Sequence, residues 1–365
     1  MKITFIGYYG FDNYGDDLFA VTCLKASNRF WPKITAKTHI KINRNNERNE
    51  PITRTIKTLY QQGSMFGSLV RLVCLARAVF FSNMIIFGGG SVFSSSGTKT
   101  TRRLLTLATK FKFVKIAAVG VSFGPFLNKK DELSCLSLLK TFSFISTRDQ
   151  KSYEELKKSG VPGKLISSRD LAGVYRSLAG PLPHIQDGFI GIAPCFVAGD
   201  DSWQNEILFK AFVDYVESIN LKVRVFVLNT HKIWGDYSSA AALCKELKGR
   251  NIEFETYVSS EGPSLIWEKI AECEQMVSVR LHGAVTAYLN NIPFLLIEYH
   301  KKCTEFNNDV MGQTCDRVIF GKTDYNTLAT ELLALGKRSK PLLTQEKYIK
   351  ESLLSFTELH PINND

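Results

Sequence analysis

Short apolar runs alternate with helix-period patterns along almost the whole chain. In the first half, Lys2–Gly7, Ile34–Ile40, Met84–Phe87, Lys115–Val119 and Phe142–Ser146 read as strands, with a strand-like Leu165–Ser167 closing the series. Their mostly continuous apolar character suits strands covered on both faces. Helical patterns follow several of them, including Asp16–Asn28 and Gln150–Ser159. After a looser stretch, Ser177–Gly188, which carries Gly180, Pro181, Pro183 and Gly188 without periodicity and reads as a linker, the alternation restarts at Phe189–Ala193. In Asn205–Asn220, Leu208, Phe212, Tyr215, Val216 and Ile219 share one helical face while Lys210, Asp214 and Glu217 lie opposite. Strand candidates Val223–Leu228, Ile252–Phe254, Met276–Val279 and Phe294–Ile297 follow, and helices near Tyr325–Leu335 and Gln345–Ser355 finish the chain. Asn43–Glu50 is polar enough to read as a mobile loop.

Strands alternating with helices predict βαβ units around parallel sheets. A chain of 365 residues is long for one such core. The expected architecture is therefore α/β: two doubly wound Rossmann-like domains, 1–180 and 188–335, with a C-terminal helix and tail over 336–365. In such folds ligands bind beyond the carboxyl ends of the strands, so the loops that follow strands should carry the chemistry.

Composition narrows the picture only a little. The net charge of +11 is formed by Lys and Arg that read as scattered, with short pairs such as Lys129-Lys130 and Lys301-Lys302. Nucleic-acid binding, which favours a basic block or a recognisable module, is not expected. The eight cysteines never form a CxxC pair, and most lie in apolar stretches, which suits reduced core thiols in a cytoplasmic protein. Met1–Gly7 reads as a first strand and lacks a signal-peptide layout. Phe66–Phe87 is apolar but interrupted by Arg71, Arg77 and Asn83, so no membrane span is expected. Any contact with a membrane would be peripheral, at its inner face.

Among the loops, Gly10-Phe11-Asp12-Asn13-Tyr14-Gly15-Asp16-Asp17 departs from GxGxxG spacing, and its carboxylates would repel a pyrophosphate at that helix start. It reads either as a glycine turn with an acidic first helical turn or as a set of acceptors for sugar hydroxyls, with one carboxylate as general base. Gly88-Gly89-Gly90 after the third strand would let a ligand approach the backbone closely. Arg148, after Phe144–Thr147, can fork onto an anion, or pair with Asp149 or Asp170. The strongest feature is Ser278-Val279-Arg280-Leu281-His282-Gly283, where a strand runs directly into a helix. Backbone N–H groups and the helix dipole there favour an anion, Arg280 adds a bidentate charge, and His282 can donate a proton near neutral pH. His231 and His300 follow strands; His39, His184 and His360 read as structural or exposed. No metal-ligand spacing is present, so no metal is expected.

Taken together, G-F-D-N-Y-G-D at Gly10–Asp16, Gly88-Gly89-Gly90, G-V-S-F-G-P at Gly120–Pro125, S-T-R-D-Q-K-S at Ser146–Ser152, R-L-H-G at Arg280–Gly283, and Pro293 through Tyr299 to Lys301 resemble the polysaccharide pyruvyl transferase family. The resemblance implies a GT-B-like fold, with the first domain on the acceptor side and the second on the donor side. It implies transfer of a pyruvyl group from phosphoenolpyruvate, with no further cofactor, to make a cyclic ketal on two hydroxyls of a sugar or lipid-linked glycan during cell-surface polysaccharide biosynthesis. Arg148, Arg280, Leu281 and His282 correspond to its donor-binding set. Tyr299-His300-Lys301 keeps the family's Y-x-x-K pattern imperfectly, leaving Lys301 and Lys302 as alternatives. The expected catalytic residues are His282, Arg280 and Asp16. Arg148, Leu281, Gly283, Asn13, Asp12, Gly89, Gly90 and Lys301 are expected to bind substrate. Two other classes compete: a GT-B glycosyltransferase using a nucleotide sugar, and a non-catalytic sugar- or anion-binding protein.

Overall fold

The computed structural model describes residues 1–40, 51–94, 99–111, 113–180, 188–195, 202–232, 235–312, 317–337 and 341–361. The polar loop expected at Asn43–Glu50 and most of the expected linker lie outside them. The chain forms two compact units: the first contains Met1–Phe11, Asp16–Ala179 and Glu346–Asp365, the second Asp12–Gly15 and Gly180–Gln345.

In the first unit, strands β1 (Lys2–Ile6), β2 (Thr35–Thr38), β3 (Met84–Phe93), β4 (Lys115–Phe123), β5 (Phe144–Thr147) and β6 (Lys164–Ser167) form one parallel sheet in the order β2-β1-β3-β4-β5-β6. The order reverses between β1 and β3, which makes that edge the switch point. Helices α1 (Tyr14–Phe30), α2 (Pro51–Gln61), α3 (Met65–Phe81), α4 (Lys99–Lys110), α5 (Lys129–Leu139), α6 (Gln150–Lys158) and α7 (Leu171–Ala179) connect or follow the strands. One core cluster centres on Ile85, Leu105, Ala118, Leu139 and Ile145, all fully buried.

The second unit repeats the plan. Strands β7 (Phe189–Ala193), β8 (Lys222–Val227), β9 (Phe254–Val258), β10 (Gln275–Ser278), β11 (Phe294–Glu298) and β12 (Val318–Ile319) lie parallel in the order β12-β11-β10-β7-β8-β9. Its switch point falls between β7 and β10. Helices α8 (Ser202–Ile219), α9 (Tyr237–Gly249), α10 (Pro263–Ala271), α11 (Leu281–Leu289), α12 (Lys301–Met311) and α13 (Tyr325–Leu333) complete it. Its core gathers Ile190, Ile192, Phe212, Val225, Leu243 and Val277. The strand expected at Ile252–Phe254 begins instead at Phe254, and β12 is too short to leave a periodic signal.

Two divisions differ from those expected. The last helix, α14 (Gln345–Thr357), is not an appendage: from Glu346 onward it belongs to the first unit. Ser355 Oγ lies 2.8 Å from both Ser146 Oγ and Ser168 Oγ, Phe356 packs on Trp31, and Arg169 pairs with Glu351 at 2.7 Å. Glycine at 173 is needed for this packing, since a Cβ there would fall 2.2 Å from Ser352 Oγ. The second difference is Asp12–Gly15, which stands between β1 and α1 in sequence but is part of the second unit.

Candidate functional site

The second unit carries the more telling constellation. Strand β10 ends at Ser278, and Arg280, in extended conformation, is the N-cap of α11. Ser278 Oγ donates to the Arg280 carbonyl at 2.5 Å. A Cβ at Gly283 would sit 2.4 Å from that same hydroxyl oxygen, so the glycine of R-L-H-G is required by the strand-to-helix turn. Leu281 is buried beneath it. Both residues shape the turn from within; they present no polar side-chain group to a substrate.

The Arg280 guanidinium meets Asp236 in a bidentate pair, Nε to Oδ2 at 2.9 Å and Nη2 to Oδ1 at 2.5 Å. Asp236 is fully buried and also accepts from the Asn229 backbone N–H at 3.1 Å. Burial alone would push the Arg280 pKa down, but the Asp236 carboxylate outweighs it and holds the guanidinium above its ordinary value. The positive charge is thus fixed at every accessible pH. Among the described residues nothing accepts from Nη1, so one face of the fork remains for a second acid. Asp236 was not singled out in the sequence: standing before α9, it looks like a helix cap. It makes no side-chain cap bond; its carboxylate serves Arg280 and Asn229.

The polar neighbours come from the adjoining strand ends. Cys195, two residues beyond β7, has its thiol pushed up to about 12 by burial, against the pull of Arg280 and Lys302. Tyr299, just past β11, is raised by burial, with Lys302 and Arg280 pulling the other way. Lys302 Nζ lies 5.8 Å from the centre of the Tyr299 ring. Of the two candidate lysines, Lys302 therefore joins this group, while Lys301 is exposed at the start of α12. His300 caps that helix, its Nδ1 accepting from the Lys302 N–H at 3.3 Å.

The loop Asp12–Gly15 is bound to the same unit. Asn13 bridges Asn229, the Tyr14 N–H donates to the Leu228 carbonyl at 2.8 Å, and Tyr14 Oη lies 2.8 Å from Thr286 Oγ1 on α11. The Asp12 carbonyl accepts from the Thr230 N–H at 3.0 Å and from Ser259 Oγ at 2.5 Å. Asp12 has φ 55°, and Asn13 Oδ1 accepts from the Gly15 N–H at 3.2 Å. These bonds are what put the loop's backbone beside α11. A Cβ at Gly15 would fall 2.0 Å from His282 Nδ1. The half-buried His282 ring therefore lies against bare backbone, and any side chain at position 15 would displace it. In this way Asn13, Gly15, Arg280 and His282 are brought together.

The remaining candidates lie in the first unit. Gly88-Gly89-Gly90 falls inside β3, which runs on to Phe93, and all three are buried. A Cβ at Gly88 would strike Tyr9 Oη at 2.2 Å, and one at Gly89 would strike the Phe19 ring at 2.6 Å. The run is needed for packing, and it lies buried inside the strand, whereas the sequence pattern places it after the strand's end. Gly90 leaves space near Asp16, whose Oδ1 would stand 3.3 Å from a Cβ there. Asp16 is half-buried, whereas Asp17 is buried and accepts from the Gly10 N–H at 2.7 Å.

Arg148 binds three partners: Ser122 Oγ through Nε at 2.6 Å, Ser91 Oγ through Nη2 at 3.0 Å, and Asp170 through Nη1 at 3.2 Å. Ser122 in turn donates to Asp149, which caps α6. The pairing with Asp170 is one of the two readings the sequence left open.

A cavity of about 500 Å³ opens at the carboxyl edge of β1 to β3, between α2, α3 and α4. His39 stands in it, its Nε2 2.7 Å from Tyr60 Oη, and burial pushes its pKa down to about 4. His39 is thus a neutral imidazole tied to Tyr60.

A family model described as polysaccharide pyruvyl transferase matches residues 6–301. The chain belongs to this family. No curated protein sequence matches the transferase. Solved structures resemble it in fold. A UDP-GlcNAc 2-epimerase from Methanocaldococcus jannaschii, in complex with UDP-GlcNAc and UDP, superposes with TM-score 0.60 at 12% identity over 96% of this chain and 98% of that one. A putative UDP-N-acetylglucosamine 2-epimerase from Listeria monocytogenes gives 0.59 at 11% over 97% and 93%. The S. aureus MnaA–UDP structure gives 0.58 at 11% over 96% and 90%. At such identities the likeness concerns the fold alone, which is of the GT-B kind.

Proposed function

We propose that the transferase moves the pyruvyl group of phosphoenolpyruvate onto two hydroxyls of a sugar, forming a cyclic ketal. Family membership supports the class of reaction, and the Arg280–Asp236 pair beside the start of α11 is the observation that carries the donor. Phosphoenolpyruvate bears a phosphate and a carboxylate. A guanidinium held by a buried acid, next to the N–H groups of a helix start, suits such a polyanion.

In the reaction the methylene carbon takes a proton, and the adjacent carbon becomes cationic. The first sugar hydroxyl bonds to that carbon, its bond to the phosphate oxygen breaks, and the second hydroxyl closes the ring. The two hydroxyl protons end on the new methyl group and the released phosphate, so no further reactant is needed. His282 is the candidate proton donor, to the methylene carbon or to the leaving oxygen, and Arg280 holds the anion. Asp16 is the candidate base for the acceptor hydroxyl. Arg148, already bound to three side chains, ties the ends of β3 and β4 to the segment after β6.

The test is to incubate the protein with an acceptor glycan and either phosphoenolpyruvate or nucleotide sugars. Phosphate release matched by ketal formation supports this reading. Nucleotide release would assign a glycosyltransferase instead, and binding without turnover would assign a binding protein.

A further inference from the structure

The Lys and Arg are spread along the chain, but one stretch lacks any acid to balance them. Residues 51–130 hold twelve of its 46 Lys and Arg and none of its 35 Asp and Glu, so the remainder of the chain is close to neutral. That stretch runs from α2 through α3 and α4 to the start of α5, all in the first unit. Helix α3 is unusual within it. Gly67, Leu75, Ala78 and Val79 face the core, yet Phe66, Leu69, Val73 and Phe80 are exposed, the two phenylalanines by 69% and 70%. Their spacing puts these four on one outward stripe. Exposed Arg77 interrupts the stripe, and Phe80 continues it to Phe113, with ring centres 6.5 Å apart, and Phe113 to Phe111 at 6.1 Å. Arg103, Lys110 and Lys115 are exposed around this aromatic end. An apolar face of this extent on a soluble unit marks a surface meant to be covered.

We infer that the first unit docks on an anionic lipid bilayer through the outward face of α3 together with Phe111 and Phe113. The apolar stripe enters the acyl boundary while the surrounding bases meet lipid phosphates. Charge decides the occupant. A second copy would bring Arg77, Arg103, Lys110 and Lys115 of the two faces together, and that repulsion opposes self-association. The contact made by this face is peripheral, and no helix among the described residues is long and apolar enough to cross a membrane. Met65 and Leu69 line the cavity beside β1 to β3, so it adjoins the stripe.

The experiment is co-sedimentation of the full chain with phosphatidylcholine vesicles, with and without phosphatidylglycerol. Binding is expected only with the anionic lipid, and should weaken as salt rises. Phe80→Ser with Phe113→Ser should cut partitioning about tenfold or more at unchanged melting temperature, because both side chains are already exposed. Should that pair fail to fold, Arg77→Glu and Lys110→Glu give the second test, each lowering partitioning by at least about fivefold. Failure to bind anionic vesicles would overturn the proposal, as would undiminished binding by these variants. So would a wild-type dimer that Phe80→Ser with Phe113→Ser turns into monomers without any vesicle binding.

Discussion

Two arginines stand just past strand ends, Arg148 past β5 in the first unit and Arg280 past β10 in the second, and each pairs with a buried aspartate. Arg148 distributes its nitrogens over Ser91, Ser122 and Asp170. Arg280 gives two of its nitrogens to the single carboxylate of Asp236. The first arrangement ties the ends of three strands together. The second fixes one guanidinium in position beside a helix start and a histidine, and on the proposed function its remaining edge is what meets the donor. The number and kind of partners, more than the place at a strand end, set the two arginines apart.

Breaking the Arg280 side should have the largest effect. Asp236→Ala leaves a mostly buried guanidinium without its acid, and we expect about 3–5 kcal/mol lost in denaturant unfolding, together with phosphoenolpyruvate binding. His282→Ala should leave the fold intact by circular dichroism and reduce turnover about 100-fold or more. A fully active variant would remove His282 from the mechanism. Gly15→Ala pushes a methyl group into the His282 ring. It should cost about 1–3 kcal/mol of stability and lower kcat, although residue 15 lies far from His282 in sequence. Ser122→Ala, on the Arg148 side, should cost about 1–3 kcal/mol with kcat per folded molecule unchanged. Should Ser122→Ala abolish turnover in a folded protein, the contrast between the two arginines fails.

A last prediction concerns pH. The unfolded chain protonates His39 near 6.5, while burial holds the folded imidazole neutral until about pH 4. Between those values the unfolded state binds more protons, so this contribution to stability is complete above pH 6.5 and declines as pH falls towards 4. His39→Phe should flatten that part of a melting-temperature profile. An unchanged slope would show that other groups set it.

Much of this was legible in the sequence because β-strands covered on both faces leave continuous apolar runs, and most strands start within a residue or two of the expected place. The R-L-H-G turn was legible for the same reason: chemistry placed directly at a strand end stands out. What the sequence hid lies in pairings at long range. Asp236 looks like a helix cap, and nothing local connects it to Arg280, 44 residues on. The Gly10–Asp16 motif invited a reading through its carboxylates. Its backbone turned out to matter more, since Asn13, Tyr14 and Gly15 pack on β8 and α11 of the second unit. The glycines at 88 and 89 leave the space that Tyr9 and Phe19 occupy, a demand made by α1 and the β1 loop that no local pattern announces.

The central claim is that the Arg280–His282 turn binds phosphoenolpyruvate and passes its pyruvyl group to a sugar. The most direct measurement is phosphate release from phosphoenolpyruvate in the presence of acceptor glycan, with the glycan analysed by mass spectrometry, for wild type and His282→Ala. The account predicts one phosphate per ketal formed by the wild type, and about 100-fold slower release by the variant. Nucleotide release from a nucleotide sugar, with phosphoenolpyruvate left intact, would contradict it.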